Sequence, residues 1–176
     1  MITSQLPIPV DLFRMNVPRY ASTPLSGAGA ARAGGRYNRP GLEALYLSLE
    51  IPTAVAEYQQ SSPHLQPATI CSYPVTLPPL VDLRLLGTGT WDAIWQDWNV
   101  DWRQIQADGK IDPPTWDMGD LALDAGIPGI IFPSIANPGG TNVVLFLEAI
   151  RGKGTIAVHD PNGTLPKNQA SWPVTP

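Results

Sequence analysis

Three residues with the chemistry to bind or polarise a substrate fall in one stretch, "GGRYNRPGLEALYLSLEIPTAVAEY" from Gly34 to Tyr58: Arg36, Tyr46 and Glu57. A guanidinium offers paired donors to an anion, a phenol ring offers an aromatic face, and a carboxylate stabilises positive charge. Arg14, Asn38 and Ser134 are the further polar candidates elsewhere in the chain. Each has a structural reading beside the chemical one. Glu57 reads as a solvated helix residue, Arg36 as a turn arginine tied to Glu43, and Tyr46 as a core tyrosine with its hydroxyl at the surface. Ser134 reads as the cap of a strand end and Asn38 as a turn residue. Taken singly, each of these residues favours the structural reading over the chemical one.

Other chemistries find little support. The two histidines, His64 and His159, stand far apart without metal-ligand spacing, so no metal site is expected. No GxSxG elbow anchors a serine-hydrolase triad, and no GKS or GKT marks a phosphate loop. The run "SGAGAARAGG" imitates a dinucleotide fingerprint, but Arg32 stands where the third glycine belongs. Cys71 is the only cysteine, which rules out an intrachain disulfide.

Stepping outward to the elements that must hold the candidates, "DLFRMN" (Asp11 to Asn16) reads as a short strand carrying Arg14, and "PLSGAGAARAGGRYN" as a loop leading to Arg36. "EALYLSL" (Glu43 to Leu49) has the pattern of a strand, and Pro52 then sits where a first-turn proline opens a helix toward Glu57. "ATICSYPVTLPPLVDLRLL" reads as one or two strands broken by Pro78 and Pro79. In "TWDAIWQDWNVDWRQI", Trp91, Trp95, Trp98 and Trp102 recur at steps of four, three and four, which predicts one helix with four indoles on its core face, or on a partner-binding face. A second helix over "TWDMGDLALDAG" closes at Gly126 and leads into the strand "IPGIIFPS", which ends at Ser134. "TNVVLFLEAI" reads as a strand buried on both faces, and "GTIAVHD" as one more strand.

The whole chain bounds these readings. Its 176 residues suit one domain, with a core over about 11–160 and an extended tail over 161–176, in which the sequon at Asn162 is a turn. An apolar fraction of 43% with 15% charged residues is globular, and twenty prolines argue for short elements and many connections. A net charge of -4 with scattered bases gives no footprint for direct nucleic-acid binding. No run approaches the length of a membrane span, and "MITSQLPIPV" lacks the features of a signal peptide, so a soluble cytoplasmic protein is expected.

The ordered pieces "FRM", "PLSGAGAARAGGRYN", "ALYLSLEIPTAVAEY", "GIPGIIFPS" and "NVVLF" carry a resemblance across most of the chain, from Phe13 to Phe146. Together they resemble the RES-domain toxins of bacterial RES-Xre toxin-antitoxin pairs, whose fold is similar to that of ADP-ribosyltransferase toxins such as diphtheria toxin. The resemblance implies an α+β fold, with a mixed or antiparallel sheet core flanked by short helices. It places the family's arginine, glutamate and serine at Arg36, Glu57 and Ser134, and its pocket tyrosine at Tyr46. Tyr37 stands where many relatives have tryptophan, and Met15 where some have a second pocket tyrosine.

The implied activity is cleavage of the nicotinamide–ribose bond of NAD as substrate, with no bound cofactor, and with water, phosphate or a protein accepting the ADP-ribose. Glu57 would stabilise the oxocarbenium-like state and Tyr46 would stack on nicotinamide. Arg36 and Arg14 would bind the pyrophosphate, Asn38 would add a polar contact, and Ser134 would donate to the carboxamide or a phosphate. The implied partner is an Xre-type helix-turn-helix antitoxin, with a homodimer by analogy. A non-catalytic module that recruits a partner through the tryptophan face is the alternative from another class.

Overall fold

Short β-rich segments punctuated by proline assemble here into one eight-stranded sheet. The computed structural model describes residues 1–60 and 62–172. The strands are β1 (Thr3–Ser4), β2 (Val10–Asn16), β3 (Ala44–Ser48), β4 (Thr69–Thr76), β5 (Leu80–Asp82), β6 (Gly129–Pro133), β7 (Thr141–Phe146) and β8 (Thr155–Ile156). Their order is β1-β5-β6-β7-β3-β2-β4-β8, and every neighbouring pair is antiparallel except β5 with β6. The helices are α1 (Ala28–Ala33), α2 (Ile51–Gln59), α3 (Trp102–Asp108), α4 (Pro114–Asp124) and α5 (Leu147–Ile150). The architecture is α+β with a mixed, mostly antiparallel sheet, as expected.

Period-two alternation divides the apolar residues between the two sheet faces. Leu12, Leu45, Leu47, Tyr73, Val143 and Leu145 belong to one buried cluster. Tyr37, Trp95, Met118, Phe132, Val144 and Phe146 belong to the other. Every residue of β7 is buried, so "TNVVLF" is the doubly covered strand that its composition predicts. Pro78 and Pro79 do separate β4 from β5, and Gly126 closes α4 with a positive φ of 73°. The "GTIAVHD" segment forms only the two-residue β8, paired at the sheet edge with Val75 and Thr76. In the tail, Asn162 lies in a turn, and residues 173–176 lie outside the described residues.

Two expectations are corrected. The Gly/Ala-rich run is not all loop, because "AGAARA" forms α1; its alanines favour helix, and Gly34 at φ 77° stops it. The tryptophan run is not one helix. A 3-10 helix covers Ala93–Asp97, and α3 begins only at Trp102. Asp101 breaks the run by capping: its side chain accepts from the Gln104 N–H at 3.1 Å, starting a new helix. Trp95 is fully buried and Trp102 nearly so, and Trp91 meets Trp95 edge to face at 5.6 Å. The indoles therefore fill core and cleft wall, and the common recruiting face is absent.

The segment that carries Arg36 is held between sheet and helix. Tyr37 is wholly buried and packs edge-on to Phe132, with ring centroids 4.9 Å apart. Behind it, Gly119 of α4 lies against the chain: a Cβ there would sit 1.9 Å from the Tyr37 carbonyl oxygen. Trp116 Nε1 donates to the Gly35 carbonyl at 2.8 Å. Arg39 reaches α4 as well, pairing with Asp112, with Asp117 at 2.6 Å and with Asp120 at 2.7 Å. Helix α4 is thus the back plate of the Gly34–Arg39 turn.

Candidate active site

The site begins with a split in the sheet. Strands β2 and β3 share one register pair, Phe13 with Ser48, and then diverge. A cleft of about 1010 Å³ occupies the gap, and both alternating sets of side chains border it: Phe13, Arg14 and Met15 from β2, with Tyr46, Leu47 and Ser48 from β3. Its far wall is the segment from Asn99 to Arg103.

Helix α2 starts directly after β3 and carries Glu57 into the cleft. Pro52 fits its first turn, where a missing N–H costs no helical bond. The Glu50 carboxylate fixes that end, accepting from the Thr53 hydroxyl at 2.7 Å and from the Thr141 N–H of β7 at 3.0 Å. Seven residues on, Glu57 lies on the same helical face. Its Oε1 accepts from Ser134 Oγ at 2.7 Å and from Asn142 Nδ2 at 2.5 Å, and Gln60 holds Oε2. The supports are themselves supported. Ser134 Oγ accepts from the Asn137 N–H at 2.9 Å, and Ser48 Oγ donates to Asn142 Oδ1 at 2.8 Å. Ser48, Ser134 and Asn142 are all buried, which strengthens the charge-assisted bonds that orient the carboxylate. Three donors leave the carboxylate acceptor capacity for a ligand hydroxyl.

Across the cleft, Arg36 Nη1 donates to the carbonyls of Trp98 at 2.9 Å and Val100 at 3.0 Å. Among the described residues it pairs with no carboxylate, so the tie to Glu43 is not made, and Nη1 alone is engaged by the two carbonyls. Arg14 borders the cleft half-buried, and among the described residues its side chain has no hydrogen bond or ion pair. Burial pulls its pKa below the usual arginine value, while Tyr73 and Cys71 oppose that shift. Burying a guanidinium carries a desolvation cost that an anionic partner offsets.

Tyr46 presents its ring to the cleft, but its hydroxyl turns inward. The oxygen accepts from the Tyr37 N–H at 2.9 Å and donates to Asn38 Oδ1 at 2.8 Å. Burial pushes the pKa of both Tyr37 and Tyr46 above the usual phenol range, so both stay neutral. Asn38 is buried, and its amide donates to the carbonyls of Ala30 at 3.0 Å, Arg39 at 3.1 Å and Leu42 at 3.0 Å. Gly35 must be glycine, because a Cβ would fall 2.5 Å from both Asn38 Oδ1 and Tyr46 Oη.

Of the six candidates, Arg14, Arg36, Tyr46 and Glu57 border the cleft. Asn38 and Ser134 lie behind it, one buttressing Tyr46 and the other Glu57. Sequence reasoning passed over Asn142 and Ser48. Their signal was a polar residue inside a doubly buried strand and another at a strand end, since such groups must find partners. Among the described residues no group of three or more His, Cys, Asp or Glu side chains is placed to hold a metal, and no helix is long and apolar enough to cross a membrane.

Comparison with known proteins meets this geometry. The RES domain matches residues 11–168, nearly the whole chain. The chain belongs to the RES-domain family. A curated RES relative named Toxin Res, from Yersinia enterocolitica, is 27% identical over 136 residues, which is 76% of this chain and 82% of that protein. Among solved structures, the M. tuberculosis MbcT-MbcA toxin-antitoxin complex contains a chain with the same fold, with a TM-score of 0.59 at 19% identity, covering 90% of this chain and 84% of that one.

Proposed function

We propose that this RES protein is the toxin of a toxin-antitoxin pair and that it acts by cleaving the nicotinamide–ribose bond of NAD. The observation that carries the reading is the Glu57 carboxylate, oriented by Ser134, Asn142 and Gln60 in a cleft that also holds arginine and tyrosine. The C1′–N bond breaks with its electron pair going to the nicotinamide nitrogen, which leaves as a neutral base. Positive charge then develops on the ribose, and a fixed carboxylate stabilises it without reorganising. The ring of Tyr46 holds the cationic nicotinamide by stacking and releases it as the charge moves. Arg14 and Arg36 hold the pyrophosphate. Water or phosphate adds to that anomeric carbon and loses a proton, giving ADP-ribose or its anomeric phosphate. A cognate helix-turn-helix antitoxin of the Xre type keeps the toxin silent.

Purified protein incubated with NAD, with and without phosphate, is expected to release nicotinamide. Glu57→Gln, which keeps the shape and removes the charge, is expected to slow release by about 10²-fold or more. No release by the natural protein under either condition would refute the proposal. Label from NAD appearing on a protein rather than in a small product would replace hydrolysis or phosphorolysis with ADP-ribosyl transfer.

A further inference from the structure

A third arginine overlooks the cleft. Arg103, in the first turn of α3, borders it together with Asn99, Val100 and Trp102. Its guanidinium lies 4.8 Å from the centroid of the Trp102 ring, and the indole beneath it is buried. Stacking of this kind fixes a long side chain while leaving its in-plane donors unused. Arg103 has no ion pair among the described residues. Its neighbour Asp101 is committed to the Gln104 N–H. Tyr46, whose ring faces the cleft, and Arg103 border the same space. The backbone beneath it is anchored, because Arg36 holds the carbonyls of Trp98 and Val100. In a chain of net charge -4, three of eleven basic residues therefore converge on one cleft with no carboxylate partner among the described residues.

We infer that Arg103, stacked on Trp102, is a substrate-binding residue that grips a phosphate of the dinucleotide at the exposed side of the cleft. The inference rests on the NAD reading above and extends it to a residue outside the set that sequence identified. Arg14 and Arg36 are half-buried, whereas Arg103 is exposed, so it meets the ligand's outer anionic part. Two phosphate sources share this chemistry: the pyrophosphate common to NAD and NADP, and the 2′-phosphate of NADP alone.

The test is steady-state nicotinamide release from NAD and from NADP by the full chain and by Arg103→Ala, Arg103→Lys and Arg151→Ala. Loss of one charge-assisted contact is expected to raise KM in Arg103→Ala by about tenfold to a hundredfold with little change in kcat. Lysine is expected to restore part of the affinity, because it keeps the charge and loses the stacked fork. Arg151 pairs with Glu148 on the surface, and its removal controls for net charge. A rise for both dinucleotides assigns Arg103 to the pyrophosphate, and a rise for NADP alone assigns it to the 2′-phosphate. KM values in Arg103→Ala within twofold of the natural protein for both overturn the inference and leave the NAD reading standing. Absence of turnover by the natural protein sinks the NAD reading instead. Calorimetric titration of NAD and of NADP then decides Arg103 by itself, with equal affinity for both in Arg103→Ala, or no binding of either to the natural protein, overturning it.

Discussion

Gly119 lies on α4, outside the cleft, and yet the structure makes it a sensitive position for the chemistry. A Cβ there would stand 1.9 Å from the Tyr37 carbonyl oxygen and 3.6 Å from the Phe146 ring. Real contacts of this type do not fall below 3.0 Å, so Gly119→Ala forces helix and turn apart by about 1.1 Å. The obstacle is backbone, which does not rotate away as a side chain would. Overpacking of this kind costs about 1–3 kcal/mol, which lowers Tm by about 3 to 10 °C in a chain of this length. The larger effect is on position. Tyr37 is flanked by Arg36 and Asn38, and a displacement of about 1 Å in a catalytic constellation costs on the order of 10²-fold in rate. Calorimetry and nicotinamide-release kinetics on Gly119→Ala measure the two effects separately. Gly87→Ala is the control, since nothing lies within 4 Å of its Cβ position and its φ is not positive. Natural Tm and kcat/KM in Gly119→Ala would refute the claim that α4 sets the position of the Arg36 turn.

Two further substitutions test how the carboxylate and the ring are held. Tyr46→Phe keeps the aromatic face and orphans the Tyr37 N–H and Asn38 Oδ1; it is expected to cost about 2–4 kcal/mol, and an unchanged Tm would contradict the inward role of the hydroxyl. Asn142→Leu removes the 2.5 Å donor to Glu57 while keeping the branching at Cγ. It is expected to lower kcat by about tenfold to a hundredfold with a smaller change in KM, because the carboxylate loses its orientation; kinetics equal to the natural protein would contradict that.

What the sequence disclosed depended on how local the cause was. Strand β3 and helix α2 follow from alternation and from Pro52, both written within a few residues. In the tryptophan run, capping overrides periodicity: Asp101 offers its side chain to a backbone N–H and ends the pattern that the indoles suggest. Arg36 and Tyr46 were visible by type, but their partners were not. The carbonyls that Arg36 holds lie 62 and 64 residues away, and no spacing rule spans that distance. Asn38 and Ser134 show the same limit in reverse. Their polarity marked them for the cleft, whereas long-range folding placed them one layer behind it, orienting the residues that face it.

The bond between Arg36 and the far wall has a bearing on how this cleft tolerates change. Arg36 grips two main-chain oxygens, and every residue type, whatever its side chain, supplies the same oxygen. The anchoring of that wall is therefore indifferent to which side chains it displays. Asn99 and Val100 can be exchanged for groups of other size or polarity while the wall stays where it is. The fastening of this wall and the side chains it displays are written in separate parts of the chain, so the wall can be re-lined without being rebuilt.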